Sequence, residues 1–348
     1  MIRFSVRQSL LGALLLLLVL AFLSLFLGYS HLRVEQVLEA LLGQAKPSIS
    51  LIVWNLRLPR LLVSCLAGAA LATSASLLQT LTHNPMADPG ILGINAGASL
   101  AALASLFLPF SGLGLQSLFA WLGGSLAALT VYLLSQTRKG NFQSNQLLLV
   151  GMGLAGLLTS LTLSLTQVIS PYQMENTQAW LSGAYLGDKW SSLMILAPLI
   201  LISLLVVFLR IPKLNVLQLG PETATGLGIN VQKESRIILL LAAGLASFAT
   251  LLVGNTAFVG FLSSHLAKRL IGRNHSYSLP LAICLAASLM LLADTIGRLL
   301  LVGTGIPTGI VLAIIGAPYC FVLMQKKQLE FSWFLVTLQY SRIIYLGC

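Results

Sequence analysis

Asp294 is the acidic residue whose surroundings could support proton chemistry. It lies in an otherwise apolar run, four residues before Arg298, so on a helix the two side chains would share a face and pair. A lone carboxylate near the middle of a bilayer would cost roughly 2.5–3.5 kcal/mol. The pattern fits a structural ion pair near the outer end of a span, or a proton relay in a secondary transporter. A relay usually needs several buried ionisable groups, and because we find one deep candidate, we favour the ion pair.

The other reactive side chains form no catalytic or metal-binding set. The histidines lack metal-ligand spacing and the cysteines include no CxxC pair. These residues are His31, His83, His265 and His275, and Cys65, Cys284, Cys320 and Cys348. Gly151, Gly153 and Gly156 spell GxGxxG within an apolar run, where close helix packing explains them better than a dinucleotide site. The sequence therefore predicts no catalytic residue, metal site or cofactor, and it contains no GxxxxGK[ST] nucleotide motif.

A short segment of turn-forming residues interrupts the apolar pattern near residue 85. The residues that define it are Asn84, Pro85, Asp88, Pro89 and Gly90. Two prolines and a glycine force a turn and exclude a helix. One interpretation is a tight interhelical turn on the cytoplasmic side. The more specific interpretation is a turn whose shape is needed by a partner or a gate.

The largest polar loop covers about residues 211–235. Pro221 suits the first turn of a helix and Glu222 suits its positive end, so we predict a short helix on the cytoplasmic face. Gly228 lies just beyond it. The spacing of Glu222, Ala224 and Gly228 is that of the coupling loop of ATP-driven transporters.

The composition places most of the chain in lipid. Of the 348 residues, 57% are hydrophobic and only 8% are charged, and the mean hydropathy is +0.92. A soluble domain carries roughly 25% charged residues, so a water-facing surface cannot be built for this much chain. The net charge of +11 is divided among short stretches between apolar runs, which indicates membrane topology rather than nucleic-acid binding.

An all-α, polytopic membrane protein with about ten spans is therefore predicted. The apolar runs are approximately 8–29, 57–80, 91–110, 113–135, 145–168, 191–210, 236–256, 258–267, 279–300 and 306–324. The run 258–267 is too short to cross alone and must be a half-helix shielded by protein. A cytoplasmic N-terminus leaves thirteen Lys and Arg residues inside, six outside and Arg342 in the tail, as the positive-inside rule requires. On the outer side, 34–42 and part of 170–190 are candidate surface helices.

Taken together, these stretches resemble the FecCD-type permease family, which serves iron–siderophore, haem and cobalamin importers. The matching runs are 54–60, 84–93, 180–183, 219–229, 257–261 with His265, Ala293 and Asp294 with Arg298, 305–309 and 316–318. They occur in the family's order and cover about residues 1–327, a single membrane domain. Residues 328–348 form an atypical apolar C-terminal tail.

The resemblance implies an assembly in the bacterial inner membrane. Such a permease has ten helices and pairs with a second permease subunit, identical or paralogous. Two ATP-binding-cassette subunits, which bind the ATP and Mg, dock inside, and a substrate-binding protein docks outside. By motif match, Arg57, Arg60 and Arg298 would contact the binding protein. The ATPase contacts would be Glu222, Thr223, Ala224 and Gly228.

The resemblance also sets expectations for the cargo. Ferric siderophore is expected, with haem and cobalamin as alternatives. A proton-coupled secondary transporter using Asp294 is the competing hypothesis, since it would need neither an ATPase nor a binding protein. A membrane-embedded enzyme would need a cluster of His, Asp or Glu residues that the sequence lacks. One departure from the family pattern is Ser264, where proline commonly precedes the residue equivalent to His265.

Overall fold

The computed structural model describes residues 5–28, 32–108, 112–135, 144–169, 171–185, 189–300 and 306–322. Within these ranges the chain is helical apart from turns and short connections, and it contains no strand. The predicted apolar tail at 328–348 lies outside the described residues, so the single-domain assignment to 1–327 stays a prediction.

Fifteen helices are described, and they are numbered here in chain order. They are α1 (Val6–Phe26), α2 (Val34–Leu41), α3 (Pro47–Leu51), α4 (Leu58–Thr82), α5 (Ile94–Ser105), α6 (Leu113–Leu134), α7 (Ser144–Thr166), α8 (Pro171–Leu181), α9 (Lys189–Leu209), α10 (Ile211–Leu217), α11 (Pro221–Gly226), α12 (Val231–Val253), α13 (Val259–Ile271), α14 (His275–Leu300) and α15 (Thr308–Val322). A π-helical turn, Ile52–Arg57, joins α3 to α4 without a break. One helix of 36 residues therefore runs from Pro47 to Thr82.

Seven of the described helices are long and apolar enough to cross a bilayer, namely α1, the joined α3–α4, α6, α7, α9, α12 and α14. The predicted half-helix is α13, which has 13 residues. The predicted span 91–110 is wrong in length, because α5 has only 12 residues and reaches about 18 Å. Its start is delayed because Pro89 stands in the preceding turn and Gly93 adopts a left-handed conformation (φ +76°).

Both predicted surface helices are present at the end of the bundle that contains α2, called here the α2 end. The first is α2, and the second is α8, which contains Trp180. Trp54 Nε1 donates to the Ala40 carbonyl over 2.9 Å, and Trp190 Nε1 donates to the Trp54 carbonyl over 2.8 Å. These bonds fix α2 and the start of α9 against the π-helical turn.

The core is built around α4, whose neighbours include α12, α13 and α14. Small residues let these backbones touch. A Cβ added at Gly68 would lie 2.8 Å from Ala287 Cα, and one added at Gly260 would lie 2.4 Å from the Leu71 carbonyl oxygen. Such close crossings supply the van der Waals contact that holds helices together in lipid, where no hydrophobic force drives their association.

Candidate functional site

An ion-pair cluster lies where α14 approaches the α2 end. Arg298 Nε is 3.0 Å from Asp294 Oδ2, and Arg60 Nη1 is 3.7 Å from Asp294 Oδ1. The pairing expected from the four-residue spacing is therefore present, with Arg60 added from α4. Asp294 is 3% exposed, and Arg60 also lies 5.9 Å from the ring centre of Tyr185. Two guanidinium groups thus offset one buried carboxylate.

The same arginine cluster closes the C-terminal end of α1. The Arg57 guanidinium donates to the Leu25 carbonyl, and Arg298 Nη2 donates to Ser24 Oγ over 2.8 Å. Carbonyls in the last turn of a helix lack partners within the helix, and cations there also interact favourably with the helix dipole. These two arginines therefore anchor α1 to the bundle.

The three arginines predicted to contact a binding protein lie together but differ in exposure. Arg57 is only 4% exposed and turns toward the bundle. The reason is the contact with α1, which draws the guanidinium inward. The side chains of Arg60 and Arg298 remain 28% and 14% exposed. Docking stays a prediction, and Arg60 is the arginine best placed for it.

The turn at residues 83–90 caps the N-terminal end of the half-helix. Asp88 Oδ1 accepts from the Gly90 N–H and Oδ2 accepts from the Phe261 N–H, both over 2.9 Å. Phe261 is the third residue of α13, where an N–H lacks a partner within the helix. The preceding Phe258 adopts a left-handed conformation and provides no side-chain cap. Asp88, which is 2% exposed, therefore caps α13 from a distant part of the chain.

Further hydrogen bonds hold the turn and the half-helix in place. Asn84 is buried and its Oδ1 accepts from the Met86 N–H over 3.0 Å, while Pro85 is exposed. In the middle of the half-helix, Ser264 causes no interruption, and α13 continues to Ile271. Its Oγ donates to Gln79 Oε1 over 2.9 Å, which joins α13 to α4.

The predicted short helix in the polar loop is α11, at the end of the bundle called here the α11 end. Ala224 is fully buried, while Glu222, Thr223 and Gly228 are exposed. Their exposed surface continues into two apolar side chains that no described residue covers. These are Leu219 and Leu227, which are 62% and 61% exposed. We call this surface, from Leu219 to Gly228, the ledge.

Hydrogen bonds and ion pairs connect α10, the helix that leads into the ledge, to the spanning helices. Glu234 of α12 pairs with Lys213 of α10 over 2.6 Å and also with Arg210. The His275 N–H at the start of α14 donates to Asn215 Oδ1 over 2.8 Å, and its ring lies 2.9 Å from Thr80 Oγ1 of α4. Movement of α10 is therefore linked directly to α12 and α14, and through His275 to α4.

The contacts that connect α10 to α12 and α14 were not predicted from the sequence. Asn215 and His275 are 60 residues apart, and nothing in the spacing of either residue indicates the contact. The available signal was weak: both are polar residues at the boundary between a polar loop and an apolar run.

A cavity of about 350 Å³ opens between α5, α7, α8 and the segment after α12. Its polar lining residues are Ser99, Thr159, Thr162, Gln178, Ser182 and Asn255. Asn95 Nδ2 donates to the Thr256 carbonyl over 3.0 Å, which fixes the segment bearing Asn255 against α5. No ionisable side chain is among the described residues that line this cavity. It offers hydroxyl and amide groups without charge.

The glycines of the GxGxxG pattern divide between two environments. A Cβ added at Gly151 would lie 3.0 Å from the Ile91 carbonyl oxygen, so this glycine does allow close packing. Gly153 and Gly156 have no neighbour within 4 Å of an added Cβ. The packing interpretation therefore holds within the chain for Gly151 alone.

Comparisons with known proteins agree with this architecture. The sequence profile of the FecCD transport family matches residues 16–326. The iron(3+)-hydroxamate import system permease protein FhuG of Bacillus subtilis (strain 168) is 36% identical over 320 residues, which are 90% of this chain and 95% of that protein. The ferric enterobactin transport system permease protein FepD of Escherichia coli (strain K12) is 37% identical over 317 residues, which are 91% of this chain and 94% of that protein.

A solved structure is also similar over most of its length. It is a metal-chelate type ABC transporter in an inward-facing conformation, with a TM-score of 0.76 and 28% sequence identity. The match covers 92% of this chain and all of that chain. The resemblance inferred from the ordered motifs is thus confirmed. With a family profile that matches most of its length, the chain belongs to the FecCD transport family.

Proposed function

We propose that this permease carries a ferric siderophore across the bacterial inner membrane, driven by separate ATPase subunits. The proposal is supported by the relatives, whose names specify iron(3+)-hydroxamate and ferric enterobactin. Haem and cobalamin are the alternative cargoes. The partners would be a second permease subunit, two ATP-binding-cassette ATPases and an extracytoplasmic binding protein.

The observation that best supports an ATPase partner is the ledge. Leu219 and Leu227 are exposed large apolar residues at a predicted cytoplasmic surface, beside the acidic Glu222. Such a surface is typical of a protein interface. Because α10 is bonded to α12 and α14, and α14 in turn to α4, an ATPase that moved the ledge would also move the spanning helices. ATP binding would then shift the balance between two conformations of the pathway.

The larger cavity, between α5, α7 and α8, is where we place the transport pathway. Its lining of hydroxyl and amide groups can hydrogen-bond to a hydrophilic chelate. A pathway must bind its cargo weakly enough to release it. A neutral polar wall meets that requirement better than a charged one.

The α2 end would receive the binding protein. Arg60 and Arg298 present positive charge there, and charge complementarity with an acidic partner would steer and orient docking. With the N-terminus in the cytoplasm, this end faces outward and the ledge faces inward.

A proton-coupled mechanism is less well supported. Among the described residues, the charged groups placed against Asp294 are two arginines, which hold it as an ion pair. A relay would require further ionisable groups along the route.

Transport in proteoliposomes tests the proposal. The permease is reconstituted with a candidate ATPase and binding protein, and uptake of radiolabelled ferric hydroxamate is measured with ATP inside the vesicles. We expect uptake that requires ATP and the binding protein and disappears when the Walker lysine of the ATPase is replaced. Uptake driven by a proton gradient without either partner would instead establish the secondary-transporter mechanism.

A further inference from the structure

A second, basic cavity lies at the α11 end. It has a volume of about 100 Å³ and is bounded by the C-terminal ends of α4, α10 and α13 and by the turn that precedes α14. Its polar lining consists of Gln79, Thr80, His83, Gln218, Lys268 and Arg273. None of the described residues that line it is acidic. The cavity is therefore distinct from the larger neutral one.

Gln79, which lines this cavity, carries a buried donor without a partner among the described residues. The residue is 4% exposed, and its Oε1 accepts from Lys268 Nζ and from Ser264 Oγ, both over 2.9 Å. Because an ammonium group can only donate, Lys268 fixes which amide atom is the oxygen. The Nε2 atom then has no hydrogen-bond partner among the described residues. A buried donor left in this state costs free energy, which a ligand acceptor would recover.

The positive charge at the cavity is also without a counter-ion. Neither Lys268 nor Arg273 makes an ion pair with any described residue. The C-terminal carbonyls of α13 attract a cation at Lys268, but Arg273 lies beyond the end of that helix. Those carbonyls also leave the Gln79 Nε2 donor unsatisfied, since no described acceptor forms a hydrogen bond with it. An anion in the cavity would meet both requirements.

We propose that this cavity binds a phosphate-class anion, supplied by an anionic lipid headgroup or by free phosphate. A tetrahedral anion offers acceptor oxygens in several directions, which suits donors that arrive from α4, from α13 and from the turn bearing Arg273. Basic pockets between helices at the cytoplasmic surface are typical sites for lipid headgroups. The inference does not depend on the identity of the cargo or on the presence of an ATPase.

The thermal unfolding midpoint of the purified, full-length permease tests the site. One arm adds inorganic phosphate in neutral detergent, with sodium chloride as the control at equal ionic strength. The other compares phosphatidylcholine nanodiscs with and without phosphatidylglycerol. We expect at least one probe to raise the midpoint by about 2 °C or more. A response to phosphate identifies a free-anion site, while a response to phosphatidylglycerol alone identifies a headgroup site.

Matched variants locate the effect. Arg273→Gln removes an exposed cation from the cavity, and Lys233→Gln removes an exposed cation elsewhere at the α11 end. We expect the first to lose at least half of the stabilisation and the second to retain it. Gln79→Glu should fold and yet lose the response, because its carboxylate would occupy the site beside Lys268.

Two results would overturn the proposal. One is the absence of stabilisation by both probes in the wild type. The other is an equal response in Arg273→Gln and the wild type. If neither probe binds but Arg273→Gln weakens association with the ATPase, the cavity receives a carboxylate of that partner and the phosphate-class assignment is wrong.

Discussion

Arg57, Arg60 and Arg298 show how far residue spacing can predict contacts. The Asp294–Arg298 pair was predictable because four residues on a helix bring two side chains together. The contact of Arg57 with Leu25 was not, since it joins positions 32 residues apart and requires α1 to end beside the π-helical turn. Burial of an arginine depends on what packs over it, and that is decided by tertiary structure.

Arg60 and Arg33 permit a matched test of docking at the residue scale. Both are basic residues at the α2 end, but only Arg60 belongs to the ion-pair cluster. We expect Arg60→Glu to weaken binding-protein affinity by about tenfold, since like charges would meet at the interface. Arg33→Glu should change the affinity much less. Affinity is measured by surface plasmon resonance at two salt concentrations, and equal losses in the two variants would contradict the assignment.

The half-helix α13 and the short α5 illustrate prediction at the scale of elements. The length of the apolar run 258–267 correctly predicted that α13 could not cross alone. The similar shortness of α5 was missed because the apolar run continues beyond the helix at both ends, through 91–93 in the turn before Ile94 and through 106–108 after Ser105. Hydropathy records which residues tolerate lipid, whereas backbone conformation decides where a helix begins.

Asp88 should be essential to the stability of α13. In Asp88→Asn one of the two acceptor oxygens becomes an amide nitrogen, so either Phe261 or Gly90 loses its acceptor. We expect the free energy of unfolding to fall by about 1–3 kcal/mol, seen as a lower thermal midpoint in detergent. Glu222→Gln, the same change at an exposed carboxylate, serves as the control. Identical midpoints for the two variants would disprove the capping role.

The ledge gives a second prediction at this scale. Leu227→Asp places a charge on an exposed apolar position and should leave folding unchanged while it reduces co-purification of the ATPase at least several-fold. Gln232→Asp alters another exposed position near the α11 end and should have little effect. Full ATPase association in the Leu227 variant would remove the ledge from the interface.

The molecule as a whole is a multi-pass permease rather than an enzyme, and its general form was predictable. Few charges, ten apolar runs and the ordered motifs together indicated a helical membrane protein of this family. The neutral cavity was not predictable, because its lining comes from four separate segments whose hydroxyl and amide residues look ordinary in sequence. A surface formed by distant residues requires the folded arrangement.

Topology is tested by labelling from one side of the membrane. In a variant whose native cysteines are replaced, Thr225→Cys marks the α11 end and Glu39→Cys marks the α2 end, and both positions are exposed. We expect an impermeant maleimide added to intact spheroplasts to modify position 39 alone. Modification of position 225 under these conditions would invert the orientation and exchange the surfaces assigned to the two partners.

The uncharged lining of the larger cavity has a consequence for cell entry. The described residues of this wall carry no fixed charge, so they impose no strong preference between chelates of different net charge, provided that they fit. If this cavity lies on the transport pathway, as proposed, discrimination between chelates falls to the extracytoplasmic binding protein. An antibiotic linked to a chelate that the binding protein accepts would then meet little further selection at this cavity.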